Sequence, residues 1–136
     1  MKIYVDTSAL LRRYFREKES EEVVRLLQEP HTRMVSGLVF VELASVFRRA
    51  LHGRRISAKE HQVLTEAARK DLKHFRLLPA GEELFRQAAL VADLTGLKSL
   101  DAIHLASARM AGADLVLTFD TEMALAAKVV GLKIKT

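Results

Sequence analysis

The sequence predicts an α/β fold of three layers, in which helices cover both faces of a central, mainly parallel sheet of about four or five strands. Three observations point there. Short apolar segments alternate with longer stretches of helical periodicity, the order expected of parallel strands joined by helical crossovers. Capping residues and glycines mark where the helical stretches start and stop. Composition is that of an ordinary globular protein: 49% hydrophobic and 29% charged over 136 residues, enough chain to bury a core as one domain spanning residues 1–136.

Lys2 to Val5 (KIYV) reads as the first strand, rich in β-branched and aromatic residues. It stops at Asp6-Thr7-Ser8, all capping types, before the helix-forming run ALLRRYF. Ser20 opens a second helix with Val23, Val24 and Leu27 at helical spacing, and Pro30 ends that segment. Thr32 to Ser36 is the second strand. Leu38 to His52 is a helix with Val39, Leu43, Val46, Phe47 and Ala50 on one face and Gly53 beyond its end. Ser57 caps the next helix, to about Asp71, with Val63 and Leu64 expected inward.

Phe75 to Leu78 is a short strand closed by Pro79-Ala80-Gly81, and Glu82 to Leu94 is helical. Ser99 is the expected cap of a helix from Leu100 to Met110, stopped at Gly112. Leu115 to Thr118 is an apolar strand, Asp120 caps a last helix to about Val130, and LKIK forms an edge strand. No linker or internal repeat interrupts this order.

The formal net charge of +5 and a pI near 9.7 suit a polyanionic partner and suit simple solubility equally well. Cysteine is absent, which excludes disulfides, thiolate catalysis and cysteine-ligated zinc. No apolar run approaches the roughly 18 residues that span a bilayer, and the first residues lack the pattern of a cleaved leader. A cytoplasmic protein without membrane attachment is the expectation.

Four acids stand out: Asp6 in IYVDTSAL, Glu42 in VFVELASVF, Asp101 in LKSLDAIHLASA and Asp120 in VLTFDTEMA. In an open α/β sheet, ligands bind beyond the carboxyl ends of the strands, and all four acids fall near that edge. Each also has a plainer explanation. Asp6 and Asp120 can cap helices, and Asp101 can complement a helix dipole. Glu42 is harder to explain, because Leu38, Val39 and Val46 surround it on an apolar helix face, where a charge is costly unless paired or metal-bound. Carboxylates brought together repel one another and are stabilised by a hard divalent cation.

These four segments, in this order and over nearly the whole chain, resemble the PIN-domain ribonucleases, and within them the VapC toxins of toxin–antitoxin pairs. The resemblance implies that Asp6, Glu42, Asp101 and Asp120 are the catalytic, metal-binding acids, with Thr7 and Thr118 as supporting hydroxyls. It implies magnesium as cofactor, with manganese as an alternative. The implied reaction is hydrolysis of RNA to a 5′-phosphate and a 3′-hydroxyl, and the implied partners are a cognate antitoxin and a second copy in a homodimer. The fourth acid varies more within the family; here it is Asp120.

Lys98, Arg12 and Arg13 are candidate RNA contacts, as are the groups around Arg16 and Arg48-Arg49-Arg54-Arg55, although solvated helix faces explain them about as well. His104, three residues beyond Asp101, could face the site but reads as structural. His31, His52, His61 and His74 form no metal-ligand pattern. Two other functions fit the same acids: a DNA nuclease or other phosphohydrolase, and a non-catalytic RNA-binding module.

Overall fold

The structure is a computed structural model and describes residues 1–135. Its elements run β1 (Lys2–Val5), α1 (Thr7–Leu10), a 3-10 turn (Leu11–Arg13), α2 (Ser20–Gln28), β2 (Thr32–Ser36), α3 (Leu38–His52), α4 (Ala58–Leu72), β3 (Arg76–Leu78), α5 (Glu82–Thr95), α6 (Ser99–Met110), β4 (Leu115–Leu117), α7 (Thr121–Val129) and β5 (Ile134–Lys135). The five strands form one parallel sheet in the order β3-β2-β1-β4-β5. The expected fold class is therefore observed.

Strand β1 is central because its residues tolerate burial on both faces: Ile3, Tyr4 and Val5 are all buried. Side chains alternate across the sheet. Ile3 and Val5 join Ala9, Leu10, Val23, Val39, Leu43 and Phe47 in a core under α1 to α4. Tyr4 faces the other way, with Met34, Val116 and Ala108 of α6. Beyond it, Leu84, Val91, Leu105 and Met123 pack α5, α6 and α7 together. The chain leaves β1 for β2 and β3 on one side and returns to β4 on the other, so a topological switch lies between β1 and β4.

Three expectations are corrected. Helix α1 stops at Leu10 and tightens into the 3-10 turn, because side chains downstream are claimed by tertiary contacts: Arg13 and Tyr14 bond Asp71, and Tyr14 and Phe15 pack on Phe47. Helix α6 begins at Ser99, so Ser99 is its first residue and not its cap. Lys98 holds the cap position without a side-chain bond, after a turn in which the Thr95 hydroxyl accepts from the Leu97 N–H. Val63 is 60% exposed, because α4 buries the stripe of Leu64, Ala68 and Leu72, and Val63 falls outside it. Ser57 does cap α4, in a reciprocal capping box with Glu60.

Candidate active site

The carboxyl ends of β1 and β4 set the position of the first acid. The Asp6 N–H bonds the Leu117 carbonyl at 3.0 Å, extending the β1–β4 ladder one residue past the strand. Asp6 occupies the N-cap position of α1 but its side chain makes no capping bond. It turns inward instead, 4% exposed, and its Oδ2 accepts from the Ser8 hydroxyl at 2.7 Å and the Thr118 hydroxyl at 2.8 Å. Thr118 is fully buried and lies 112 residues away in sequence; the switch between β1 and β4 brings the two together. The capping explanation of Asp6 does not hold.

Glu42 enters from the second turn of α3. Its Oε1 accepts two hydrogen bonds, from the Thr7 hydroxyl at 2.8 Å and from the Nε2–H of His104 at 2.7 Å. Burial pushes its carboxyl up, but the bonds from His104 and Thr7 outweigh that and hold it below the usual glutamate range. The partner that makes this charge tolerable among apolar neighbours is a histidine and not one of the arginines of α3.

Asp101 sits in the first turn of α6, half-buried. Burial first, then the negative charges of Asp120, Asp6 and Glu42, raise its carboxyl above the usual aspartate range, against a partial offset from His104. The four acids therefore share one electrostatic neighbourhood, although they come from four separate stretches of chain. Asp120 caps its helix as expected. Its Oδ1 caps α7 by accepting from the N–H groups of Glu122 and Met123 at 2.9 and 3.1 Å, while its charge faces Asp101.

His104 is the residue the sequence undervalued. It is 1% exposed, its Nδ1 lies 2.5 Å from the Tyr4 hydroxyl, and its Nε2 is 3.9 Å from Asp6 Oδ1. Burial lowers its basicity, but the hydrogen bond to Glu42 and the charges of Asp6, Glu42 and Asp101 raise it above the ordinary imidazole value. The signal available in the sequence was its spacing of three from Asp101 on one helix face, together with a tyrosine two residues before Asp6 on one face of a strand.

A shared pattern connects the acids. Asp6, Glu42 and Asp120 each have one oxygen occupied by protein donors, and no protein hydrogen bond reaches the other oxygen among the described residues. Hydroxyl, imidazole and amide donors thus fix each carboxylate while leaving an oxygen for a ligand. An all-oxygen, mutually repelling donor set fits a hard divalent cation. Among the described residues no group of three or more histidine or acidic side chains is preassembled to hold a metal. Magnesium asks for less, since it commonly keeps several waters and takes one or two carboxylates.

The basic candidates divide. Lys98 is exposed at the start of the Asp101 helix. Arg12 reaches the rim, donating to the Ser8 carbonyl at 3.1 Å and lying over the Phe119 ring, but its guanidinium also pairs with Glu17 and Glu19 at 3.3 Å each. Arg13 makes a two-pronged contact with Asp71 at 2.7 and 3.2 Å, which ties the turn after α1 to α4. Both have structural work within the chain.

Residues 3–129 match the PIN domain family. The chain is 36% identical over 140 residues to Ribonuclease VapC46 of Mycobacterium tuberculosis, with 97% of this chain and 95% of the relative covered. Its structure is similar to that of FitAcB from Neisseria gonorrhoeae, at a TM-score of 0.77 and 21% identity over 98% of this chain and 96% of the other. It is also similar to a chain of a toxin–antitoxin complex from Klebsiella pneumoniae, at a TM-score of 0.71 and 19% identity over 98% and 96%. The two structural likenesses concern the fold.

Proposed function

The chain belongs to the PIN-domain family, and from that premise we propose that it is a metal-dependent endoribonuclease, the toxin of a toxin–antitoxin pair. One observation carries the reading: Asp101 is repelled by Asp120, Asp6 and Glu42, which come from distant segments, while protein donors hold one oxygen of Asp6, of Glu42 and of Asp120. Such a cluster is costly in a protein that makes no use of it. The name of the M. tuberculosis relative supports RNA as substrate, and the K. pneumoniae complex supports a protein antitoxin.

In this reading residues 1–136 act as one nuclease domain, and Asp6, Glu42, Asp101 and Asp120 hold magnesium or manganese. The cation supplies Lewis acidity at the scissile phosphate and activation of water. The chain's own residues do the rest. Thr7 and Thr118 keep the Glu42 and Asp6 carboxylates oriented, while Lys98 at the rim of α6 offers a positive charge to the RNA backbone. An apolar groove of about 500 Å³ between α3 and α4, lined by Phe40, Leu43, Phe47 and Leu72, suits a helical antitoxin segment. A homodimer would cover apolar side chains such as Leu90 and Leu94, both more than 60% exposed on α5. No helix among the described residues is long and apolar enough to cross a membrane, in keeping with a cytoplasmic site of action.

The test is an incubation of purified protein with defined RNAs and DNAs, with and without magnesium or manganese, beside Asp6→Asn. Metal-dependent RNA cutting that is lost in Asp6→Asn is the expected result. Cleavage of DNA alone would reassign the substrate, and binding without cleavage would make the domain a non-catalytic RNA-binding module.

A further inference from the structure

The most unusual buried feature of the chain is a polar line running from the sheet to the acids. Tyr4, at the centre of β1, is fully buried, and so is His104, which reaches it from α6. Their rings meet edge to face with centroids 5.9 Å apart. Beyond the imidazole, the line continues to Glu42 Oε1 at 2.7 Å. Neither side chain is needed to fill this space as a polar group, since Met34, Val116 and Ala108 pack beside Tyr4 and Leu105 precedes a run of small residues on α6. Burying a hydroxyl and an imidazole costs free energy unless both are bonded.

We infer that His104 and Tyr4 are positioning residues that fix the Glu42 carboxylate for cation binding. The inference rests on reading the site as a metal-dependent nuclease. Its physical content is an invariant donor. Glu42 Oε1 can only accept, so the imidazole nitrogen facing it must carry a hydrogen. When the ring is neutral, the Tyr4 hydroxyl donates to Nδ1 and leaves the hydrogen on Nε2; when the ring is charged, both nitrogens donate. In either state Nε2–H points at Oε1. Together with Thr7 it occupies that oxygen and directs Oε2 away from the protein donors. The line also spans three elements, β1, α6 and α3, so it holds Glu42 against the same strand that carries Asp6.

The test compares His104→Leu, His104→Gln and Tyr4→Phe. Leucine fills the space without a donor, glutamine returns an N–H near the Nε2 position, and phenylalanine removes only the hydroxyl. Manganese affinity is measured by calorimetry on RNA-free protein, and kcat and KM on a defined RNA. His104→Leu is expected to lose about 10–100-fold in manganese affinity, the usual cost of removing a group that orients a metal ligand. The loss should carry into kcat at fixed metal with little change in KM, His104→Gln should recover most of it, and Tyr4→Phe should lose about a few-fold. Wild-type affinity in folded His104→Leu, or a gain in affinity from removing a competing cation, would overturn the inference. So would a glutamine variant as poor as the leucine one. Should His104→Leu not fold, wild-type affinity in Tyr4→Phe together with a loss of about 10-fold or more in His104→Gln decides against it.

A second measurement separates this inference from the functional reading. In metal-free protein the imidazole Nε2–H proton should give a downfield, slowly exchanging NMR signal that is lost in His104→Gln and shifts in Glu42→Gln. If that signal is present but wild-type protein binds no manganese, the metal-dependent function is what fails. If the signal is absent, the positioning role fails whatever the protein binds.

Discussion

Replacing Asp101 with asparagine should make the metal-free protein more stable while removing its activity. The carboxylate makes no hydrogen bond among the described residues and lies half-buried among Asp120, Asp6 and Glu42, with only His104 in compensation. Three repulsions against one attraction leave a net of two. At about 0.2–1 kcal/mol for each partly solvated pair, the fold carries a penalty of roughly 0.4–2 kcal/mol at neutral pH. The sign follows from linkage. A carboxyl whose folded value is raised favours the folded state at low pH, and that advantage is lost as pH rises through the folded value. The neutral amide of Asp101→Asn carries no such penalty, so the expected gain in Tm is about 1–7 °C at pH 7 and vanishes toward about pH 3, where the carboxyl is largely protonated. Magnesium should close the gap or reverse it. At a hundredfold excess over its Kd the cation adds about 2.7 kcal/mol to the wild type, and only about 1.4 kcal/mol to a variant binding tenfold more weakly. Paired thermal melts, with and without magnesium at two pH values, measure all of this beside an RNA cleavage assay. A lower metal-free Tm in Asp101→Asn, or a magnesium-induced shift equal to that of the wild type, would refute the shared-charge account of the site.

Three further outcomes are expected. Arg13→Ala should cost about 1–2 kcal/mol in urea unfolding, because it removes a two-pronged charged contact with Asp71. Burial raises the Asp71 carboxyl, but bonds from Arg13 and Tyr14 outweigh it and hold the group below the usual range. Its contribution is therefore present above the unfolded aspartate value and lost as pH falls through the folded one, and the variant should show a shallower acid limb in a stability–pH profile. Phe47→Ala should destabilise by about 3–5 kcal/mol, since this buried ring packs edge-on against Tyr14 at 5.6 Å and beside Phe15. Arg48, Arg49, Arg54 and Arg55 are exposed and have no acidic partner within 4.0 Å among the described residues. Replacing all four with glutamate should weaken RNA binding and flatten its salt dependence by about 0.7 in log–log slope for each phosphate no longer neutralised; an unchanged slope would mark them as a solvated face.

The strands were legible because a parallel sheet buried on both faces needs unbroken apolar segments such as KIYV and LVL, and helix ends were legible where a single residue dictates the geometry. Ser57, Asp120 and Gly96, the last at φ +75°, are of that kind. Asp6 and Asp120 stood out as residues just past strand ends, whereas Glu42 and Asp101 lie within helices α3 and α6 and stood out only by their sequence surroundings. What escaped was set by contacts across the chain. Asp6 looks like a cap until Ser8 and Thr118 are seen to claim its oxygen. The turn after α1 looks helical until Asp71, 58 residues on from Arg13, captures that arginine. His104 looks like core filling because its two partners lie 100 and 62 residues away. A hydrogen bond between distant segments leaves no periodicity for the sequence to display.

That same histidine explains how acids from separate segments keep a fixed relation to one another. Asp101 and His104 are three residues apart on α6, which separates them by about 4.5 Å along the axis and about 60° around it. Glu42 holds His104, and Leu105 and Ala106, both buried, fix the rotation of the helix between α5 and the sheet. Once His104 is bonded to Glu42, the direction of Asp101 is set without a hydrogen bond of its own among the described residues. A rigid helix thus carries the placement of Glu42 over to Asp101, and Tyr4 refers both to the strand that carries Asp6. Repelling carboxylates would otherwise move apart into solvent. Here the helix holds one of them in place by a neighbour three residues away, and no hydrogen bond among the described residues occupies an oxygen of Asp101.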